Sequence, residues 1–238
     1  MKTISLSVYN RPDALFKMLE SLRRNNCEGY TLIISLEPSS VSERVLDTIY
    51  KMTPCPIQLN RHYNRIGLSL NTFLAPALTF AAGSDFNVYL EDDLILSPDA
   101  LDLSNWYYNE QISDRQDSSV GLVLWRSEKS AWPDEVSQSC VSSKGQGGHG
   151  NGFACTRYQW ETYWRKEWFS YGTEGPGHQW DLSTDERLRE LGKHVLSPLY
   201  PRSVQQNIKG TSGKEGSINP LVTVPIYDGP AVKQFKIV

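Results

Sequence analysis

Residues 87–100 read NVYLEDDLILSPDA: an apolar run, three consecutive carboxylates (Glu91, Asp92 and Asp93), a second apolar run, and then Ser97 and Pro98. The first run has the length and composition of a buried strand. Adjacent carboxylates repel one another, so they call for open solvent, as in a surface turn, or for a positive partner such as a divalent cation. The choice turns on where the fold puts the end of that strand.

Upstream, strand and helix signals alternate. TISLSVY (3–9) alternates with β-branched Ile4 and Val8, and NRPDALFKMLESLRR (10–24) puts Pro12 in a first helical turn, with Leu15, Phe16, Leu19 and Leu22 on one face. YTLIISLEP (30–38) reads as a second buried strand, and SVSERVLDTIYKM (40–52) as a helix opened by a Ser40–Glu43 capping box. IQLNRHYN (57–64) is a weaker third strand; LSLNTFLAPALTFAAG (68–83) is a helix bent at Pro76 and stopped by Gly83. FNVYL (86–90) is the fourth strand. After it, Ser97 and Pro98 read as N-cap and first residue of another helix, and first-turn placement accounts for Asp99.

Strands separated by helices predict an α/β fold with a mostly parallel, right-handed sheet. One domain is expected over residues 1–217, with the proline-punctuated stretch 218–238 as an extended strap packed on it. In such sheets ligands bind beyond the carboxyl ends of the strands. Tyr9-Asn10-Arg11, Leu36-Glu37-Pro38 and the acidic triplet all fall there and are expected to converge.

Composition excludes several classes. With 238 residues, 39% apolar and 21% charged, the chain supports one sizeable core and carries no disorder signature. Lys and Arg number 24 against 27 Asp and Glu, so the net charge of −3 supplies no global field for nucleic acid; such a partner needs a local patch. No stretch approaches the roughly 20 apolar residues of a membrane span. The opening MKTISLSVYNRP has no export or anchor pattern, which predicts a cytoplasmic location. Cys27, Cys55, Cys140 and Cys155 are scattered without metal-ligand spacing and read as reduced thiols.

Three segments together, YNRP (9–12), NRIGLSLN (64–71) with Asn64, Gly67 and Asn71, and LEDDLILSPDAL (90–101), resemble inverting glycosyltransferases of the GT-A fold. The resemblance is to the group that includes N-acetylglucosaminyltransferase I and to small phage and bacterial relatives. It extends over about residues 3–215, because QWDLSTDERLRELGKHVLSPLYPRSVQQNIKG (179–210) looks like the later segment in which a Trp-Asp pair opens a helix. It implies a single Rossmann-like GT-A domain that moves a sugar from a nucleotide sugar, a UDP-sugar above all, to an acceptor hydroxyl. It implies Asp93 as the ligand of Mn²⁺ or Mg²⁺, with Glu91 and Asp92 in support, and Tyr9, Arg11, Glu37 and Asn64 around the nucleotide. It implies Asp181 as the general base, with Asp185 in reserve. The sequence departs from the pattern at Gln205-Gln206-Asn207-Ile208-Lys209-Gly210, where many relatives carry a histidine near the metal.

These residue types suit that chemistry. A departing diphosphate gains negative charge, a hard cation held by oxygen ligands neutralises it, and the absence of clustered Cys and His argues against zinc. Inverting transfer needs one base for the acceptor proton. Plainer readings stand beside these: a solvated Arg11, a turn role for Glu37, an Asx-turn at Asn64, and a Ser183–Glu186 capping box that makes both aspartates helix-start residues.

The glycines from Gly145 to Gly152 read as a loop able to close over a site that also has His149 and His178 nearby, and no phosphate-loop pattern is present. A Thr156–Gln159 capping box opens RYQWETYWRKEW (157–168), whose rings divide between core and a platform for a sugar or an unstacked base. Arg157, Arg165, Lys166, Arg202, Lys209 and Lys214 form a candidate phosphate-facing set. The acceptor is accordingly a saccharide or a hydroxymethylated pyrimidine in DNA. A nucleotidyltransferase and a noncatalytic sugar-binding module are the alternatives.

Overall fold

The first strand, β1 (Lys2–Val8), is buried from Thr3 to Val8 because parallel strands lie on either side of it and helices cover both faces. A computed structural model describes residues 1–113, 119–125, 138–145, 152–169, 180–206 and 226–237. In chain order β1 is followed by α1 (Pro12–Leu22), β2 (Tyr30–Leu36), α2 (Ser42–Met52), β3 (Ile57–Arg61), α3 (Leu68–Ala81), β4 (Phe86–Glu91), β5 (Leu94–Leu96) and α4 (Ala100–Ser113). Then come β6 (Ser119–Val123), β7 (Cys140–Gly145), β8 (Phe153–Thr156), the helical segment α5 from Arg157 to Glu167, α6 (Trp180–Glu190), β9 (His194–Pro198), β10 (Ser203–Gln205) and β11 (Lys236–Ile237).

The sheet has the order β11-β7-β9-β6-β8-β4-β1-β2-β3. Among the described residues five of its pairings are parallel and three antiparallel, so the expected mostly parallel α/β sheet is present. The antiparallel β8 separates β4 from β6. In β4, Val88 and Leu90 join one apolar cluster and Tyr89 the other, because successive side chains point to opposite faces. The weak signal of β3 follows from its place at the sheet edge, where its residues are only partly covered.

Local details correct the sequence reading. In α1 the buried stripe is Leu15, Met18, Leu19 and Leu22, at helical spacing, while Phe16 is 43% exposed. The N-cap of α2 is Val41, and Ser39 and Ser42 exchange hydrogen bonds there in place of a Ser40–Glu43 box. Helix α3 runs through Pro76, and Gly83, at φ 94°, follows its end. Helix α4 starts at Ala100 rather than Pro98, with the Ser97 hydroxyl donating to Asp99 Oδ1 at 2.7 Å. Helix α6 already begins at Trp180, so Ser183 is no N-cap. Gly145 is the last residue of β7 and Gly152, at φ 96°, precedes β8; the glycines between them lie outside the described residues.

The Thr156–Gln159 capping box is present. From it, α5 passes through a π-helical turn at Trp160–Trp164. A spacing of four overshoots the 3.6-residue turn, and the wider π turn offsets that drift, so Trp160, Trp164 and Trp168 all reach the core. Trp164 stacks on Phe153 with centroids 4.6 Å apart and donates its indole N–H to Val120 O at 2.6 Å. These three rings are therefore core and not an acceptor platform; on this helix Tyr158 is the ring that is largely exposed.

The described part of the C-terminal stretch, 226–237, lies along the domain, with β11 paired to β7 at the sheet edge. It packs on Arg202, whose guanidinium sits 4.2 Å from the Tyr227 ring centroid. Arg202 is fully enclosed, donates to Asp99 Oδ1 at 2.8 Å, and also donates to the carbonyls of Tyr200 and Gln138. It is a structural hub, which removes it from the phosphate-facing set and gives Asp99 a buried ion-pair role beyond its helix position. All four cysteines are free thiols, and the Cys27 thiol donates to the Leu22 carbonyl at 3.7 Å. No helix among the described residues is long and apolar enough to cross a membrane.

Candidate functional site

Strands β4, β1 and β2 are parallel neighbours, so their carboxyl ends open on one edge, with Ser7 opposite Glu91 and Val8 opposite Leu36. There the chain turns from β4 into β5 through Asp92 and Asp93. These two aspartates are 1% and 2% exposed, so the acidic triplet is not a solvated surface turn. Among the described residues the positive partner of Asp92 and Asp93 is Arg11, which follows β1. One guanidinium nitrogen donates to Asp92 Oδ1 and another to Asp93 Oδ2, each at 2.5 Å. This fork ties together the segments that follow two adjacent strands.

Other groups complete the enclosure. The Tyr9 backbone N–H donates to Asp92 Oδ2 at 3.3 Å. The Gln205 side-chain amide donates to Asp93 Oδ2 at 3.2 Å, and the Gln206 N–H donates to Asp93 O at 2.7 Å. Pairing of β10 with β5 sets Gln205 opposite Leu94, next to Asp93. Asp93 Oδ1, by contrast, is buried and has no hydrogen-bond partner among the described residues. Buried polar atoms are seldom left so, and each exception asks for a cause.

Glu91 is held from below. Ser7 and Tyr89 hydroxyls share a 2.9 Å hydrogen bond, and Tyr89 donates to Glu91 Oε1 at 3.3 Å. Burial, then the Glu91 charge, pushes the Tyr89 phenol well above its ordinary range, so it stays a donor. Burial also pushes the Asp92 carboxyl up to about 6, aided by the charge of Asp93 and opposed by Arg11. For Arg11 burial pulls the other way, but Asp92, Asp93 and Glu91 outweigh it and raise its pKa, so the guanidinium is charged at every physiological pH.

The remaining sequence candidates divide. Glu37 is buried one strand over, and its Oε1 accepts from the N–H groups of Ile66 and Gly67 at 2.6 and 2.5 Å. Its carboxylate thus anchors the amino end of α3, where helical partial charge is positive. Asn64 is exposed on the preceding loop. Asn71 is buried, accepts from Ser35 Oγ at 2.7 Å and donates to Val8 O at 3.3 Å, so it braces the ends of β1 and β2. Asp181 and Asp185 lie on α6, with side chains outside the described residues, as are His149, His178, Asn207, Lys209 and Lys214.

Two residues at this edge escape sequence reading, and the contact of a third is set by the fold. Arg65 lays its guanidinium 4.7 Å from the centroid of the Tyr9 ring, linking the α3 loop to the acidic pair through one residue. Tyr89 sits two residues before Glu91, on the same strand face, a spacing that alternation could have flagged. Gln205 opens the stretch that the resemblance put near the metal, but only the β5–β10 pairing places its side chain on Asp93.

A divalent cation is testable against this chemistry. Among the described residues no group of three or more His, Cys, Asp or Glu side chains could hold a metal ion. Mg²⁺-type sites need only one or two carboxylates, because substrate phosphates and water supply the other oxygens. The orphan Oδ1 of Asp93 offers one such carboxylate oxygen.

No family model and no curated protein matches the sequence. Solved structures do match the fold. Residues 1–349 of S. aureus TarS in complex with UDP-GlcNAc match with a TM-score of 0.59 at 11% identity, covering 88% of this chain and 59% of that one. The mannosyltransferase PcManGT of Pyrobaculum calidifontis, in complex with GDP-Man and Mn²⁺, matches with a TM-score of 0.50 at 13% identity, covering 84% of this chain and 57% of that one. The chain thus spans less than two thirds of the length of either structure. Its α/β fold, with a helix-flanked and mostly parallel sheet, is the fold of these two structures, one bound to UDP-GlcNAc and the other to GDP-Man.

Proposed function

We propose that this chain is a glycosyltransferase that moves a sugar from a nucleoside-diphosphate sugar of the uridine series to an acceptor hydroxyl, with inversion at the anomeric carbon. The observation that carries the reading is the enclosed acidic pair at the carboxyl ends of adjacent parallel strands, with Asp93 Oδ1 left unpartnered, in a fold shared with structures bound to UDP-GlcNAc and GDP-Man. Asp93 would hold Mn²⁺ or Mg²⁺, with Asp92 and Glu91 in support, and the ion supplies neutralising charge for the departing diphosphate. Tyr9 and Arg11 border the place of the nucleotide; Glu37 shapes it by holding the loop before α3.

Asp181 is the proposed base, with Asp185 as the alternative. The base removes the acceptor hydroxyl proton, the hydroxyl oxygen forms a bond to the anomeric carbon, and the bond from that carbon to the diphosphate oxygen breaks. A saccharide hydroxyl is the favoured acceptor. For a hydroxymethylated pyrimidine in DNA the enclosure of Arg202 removes one of the six candidate phosphate-facing residues, while the burial of Trp160, Trp164 and Trp168 takes a platform from either acceptor.

The test is turnover of a panel of UDP- and GDP-sugars with Mn²⁺, offered simple glycans and hydroxymethylated DNA. The expected products are a nucleoside diphosphate and a glycoside of inverted configuration. Release of pyrophosphate would identify a nucleotidyltransferase. Donor binding without turnover, unchanged in Asp93→Asn and Asp181→Asn, would identify a binding module. Steep loss of acceptor affinity with salt would return the acceptor to DNA.

A further inference from the structure

The acidic pair already has a cation, and it belongs to the chain. We infer that Arg11 is a built-in counter-ion for Asp92 and Asp93 that a divalent cation must displace, so that the Arg11 fork and metal binding exclude one another. This rests on the reading of Asp93 as the metal ligand.

Three observations carry it. First, Arg11 spends both arms of its fork on the pair, one nitrogen on Asp92 Oδ1 and one on Asp93 Oδ2, each at 2.5 Å, so it holds one oxygen of each carboxylate and leaves Asp93 Oδ1 open. A doubly charged ion taken up through Asp93 Oδ1 would lie within the width of one carboxylate of that guanidinium, and like charges that close in a dry site repel strongly. Second, the charges do not balance. Among the described residues one guanidinium faces the two enclosed carboxylates of Asp92 and Asp93, and Asp93 Oδ1 has no partner, which leaves an oxygen for a stronger cation to claim. Third, burial is unequal. The side chains of Asp92 and Asp93 are 2% and 3% exposed, whereas that of Arg11 is 25% exposed. The carboxylates cannot turn to water, but the guanidinium has an outlet.

Arg11 therefore serves two states of one site. Without metal it keeps two buried carboxylates compensated, which an empty oxygen cage could not do for itself. Once released, the same planar fork is a donor set suited to phosphate oxygens, so the displaced residue remains useful to a diphosphate. Its closeness to the carboxylates is then an inhibitory contact that the arrival of the metal relieves.

The experiment uses the full chain as wild type, Arg11→Met, Arg11→Lys and Asp93→Asn, with MnCl₂ as the probe and no nucleotide. Mn²⁺ binding is read by paramagnetic resonance of the free ion, and stability by thermal melting with and without Mn²⁺. Arg11→Met is expected to melt below wild type in the absence of metal, to bind Mn²⁺ about tenfold or more tightly than wild type, and to gain more in Tm from Mn²⁺ than wild type does. Arg11→Lys is expected between the two, since an ammonium cannot fork across both carboxylates; it carries the test if Arg11→Met does not fold. Binding to the Arg11 variants no tighter than to wild type, with Asp93→Asn abolishing it, overturns the exchange and leaves the metal site standing. Binding that persists unchanged in Asp93→Asn, or none in any form, overturns both.

Discussion

Arg11 and Asp93 stand 82 residues apart in sequence and 2.5 Å apart in the fold, and the same guanidinium holds Asp92 with its other arm. This contact answers the question that three consecutive carboxylates raise. The repulsion is relieved by an arginine from the neighbouring strand end, and one oxygen of Asp93 remains for a ligand.

A pH dependence follows from Asp92. Its folded pKa of about 6 lies above the ordinary 3.8, so between those values the folded state holds a proton that the unfolded state has lost. Stability from this group is therefore fully present below about pH 4, falls as pH rises, and levels off above about pH 6, a loss of about 3 kcal/mol. Urea midpoints measured across this window should decline for wild type, and the decline should be missing in Asp92→Asn.

Asp93→Asn should keep the fold, since the amide still accepts from Arg11 and Gln205, yet lower donor turnover by about two to three orders of magnitude through loss of charge stabilisation. A circular dichroism melt near that of wild type, beside steady-state kinetics, separates the two effects. Near-normal turnover would remove Asp93 from the metal.

Glu37 should behave as an anchor. In Glu37→Ala the N–H groups of Ile66 and Gly67 lose their acceptor, at a cost of about 1–3 kcal/mol. Glu37→Gln keeps a carbonyl oxygen in place and should lose markedly less. Chemical denaturation of both variants measures the difference, and a Gln variant as weak as the Ala variant would show that charge, rather than hydrogen bonding, holds the loop.

Arg202→Met should cost about 3–5 kcal/mol, because Asp99 would stay buried without its partner and the two carbonyls would lose a donor. The double change Asp99→Asn with Arg202→Met should recover part of that loss. Hydrogen exchange should show residues 226–237 loosening in the single variant, since Tyr227 and Phe235 pack on the guanidinium.

Gly121→Ala tests the packing of the tryptophan core. A methyl group there would meet Trp164 Cζ2 at 3.0 Å and the Ala154 carbonyl oxygen at 3.2 Å, with backbone on one side unable to yield. A loss of about 1–3 kcal/mol is expected, in the range of overpacking, with the tryptophan fluorescence shifted in the folded state.

Much of the architecture was open to reading from the chain alone. The alternating run at 3–8 and the apolar runs at 30–36 and 86–91, separated by helical stripes such as Leu15-Leu19-Leu22 and Val45-Ile49, are local consequences of what each element buries, so they identify the alternating units and the edge to which Tyr9, Arg11 and Asp92 must come. The Thr156–Gln159 cap is local for the same reason. What tertiary structure alone decided is partnership. No pattern within 87–100 says that Arg11 forks the aspartates, that Gln205 reaches Asp93 across the β5–β10 ribbon, or that Arg202 is enclosed against Asp99 and Tyr227. Nor does the composition of α5 tell a sugar platform from core, because a tryptophan has the same side chain in either place, and only the surfaces packed around it settle which face water can reach.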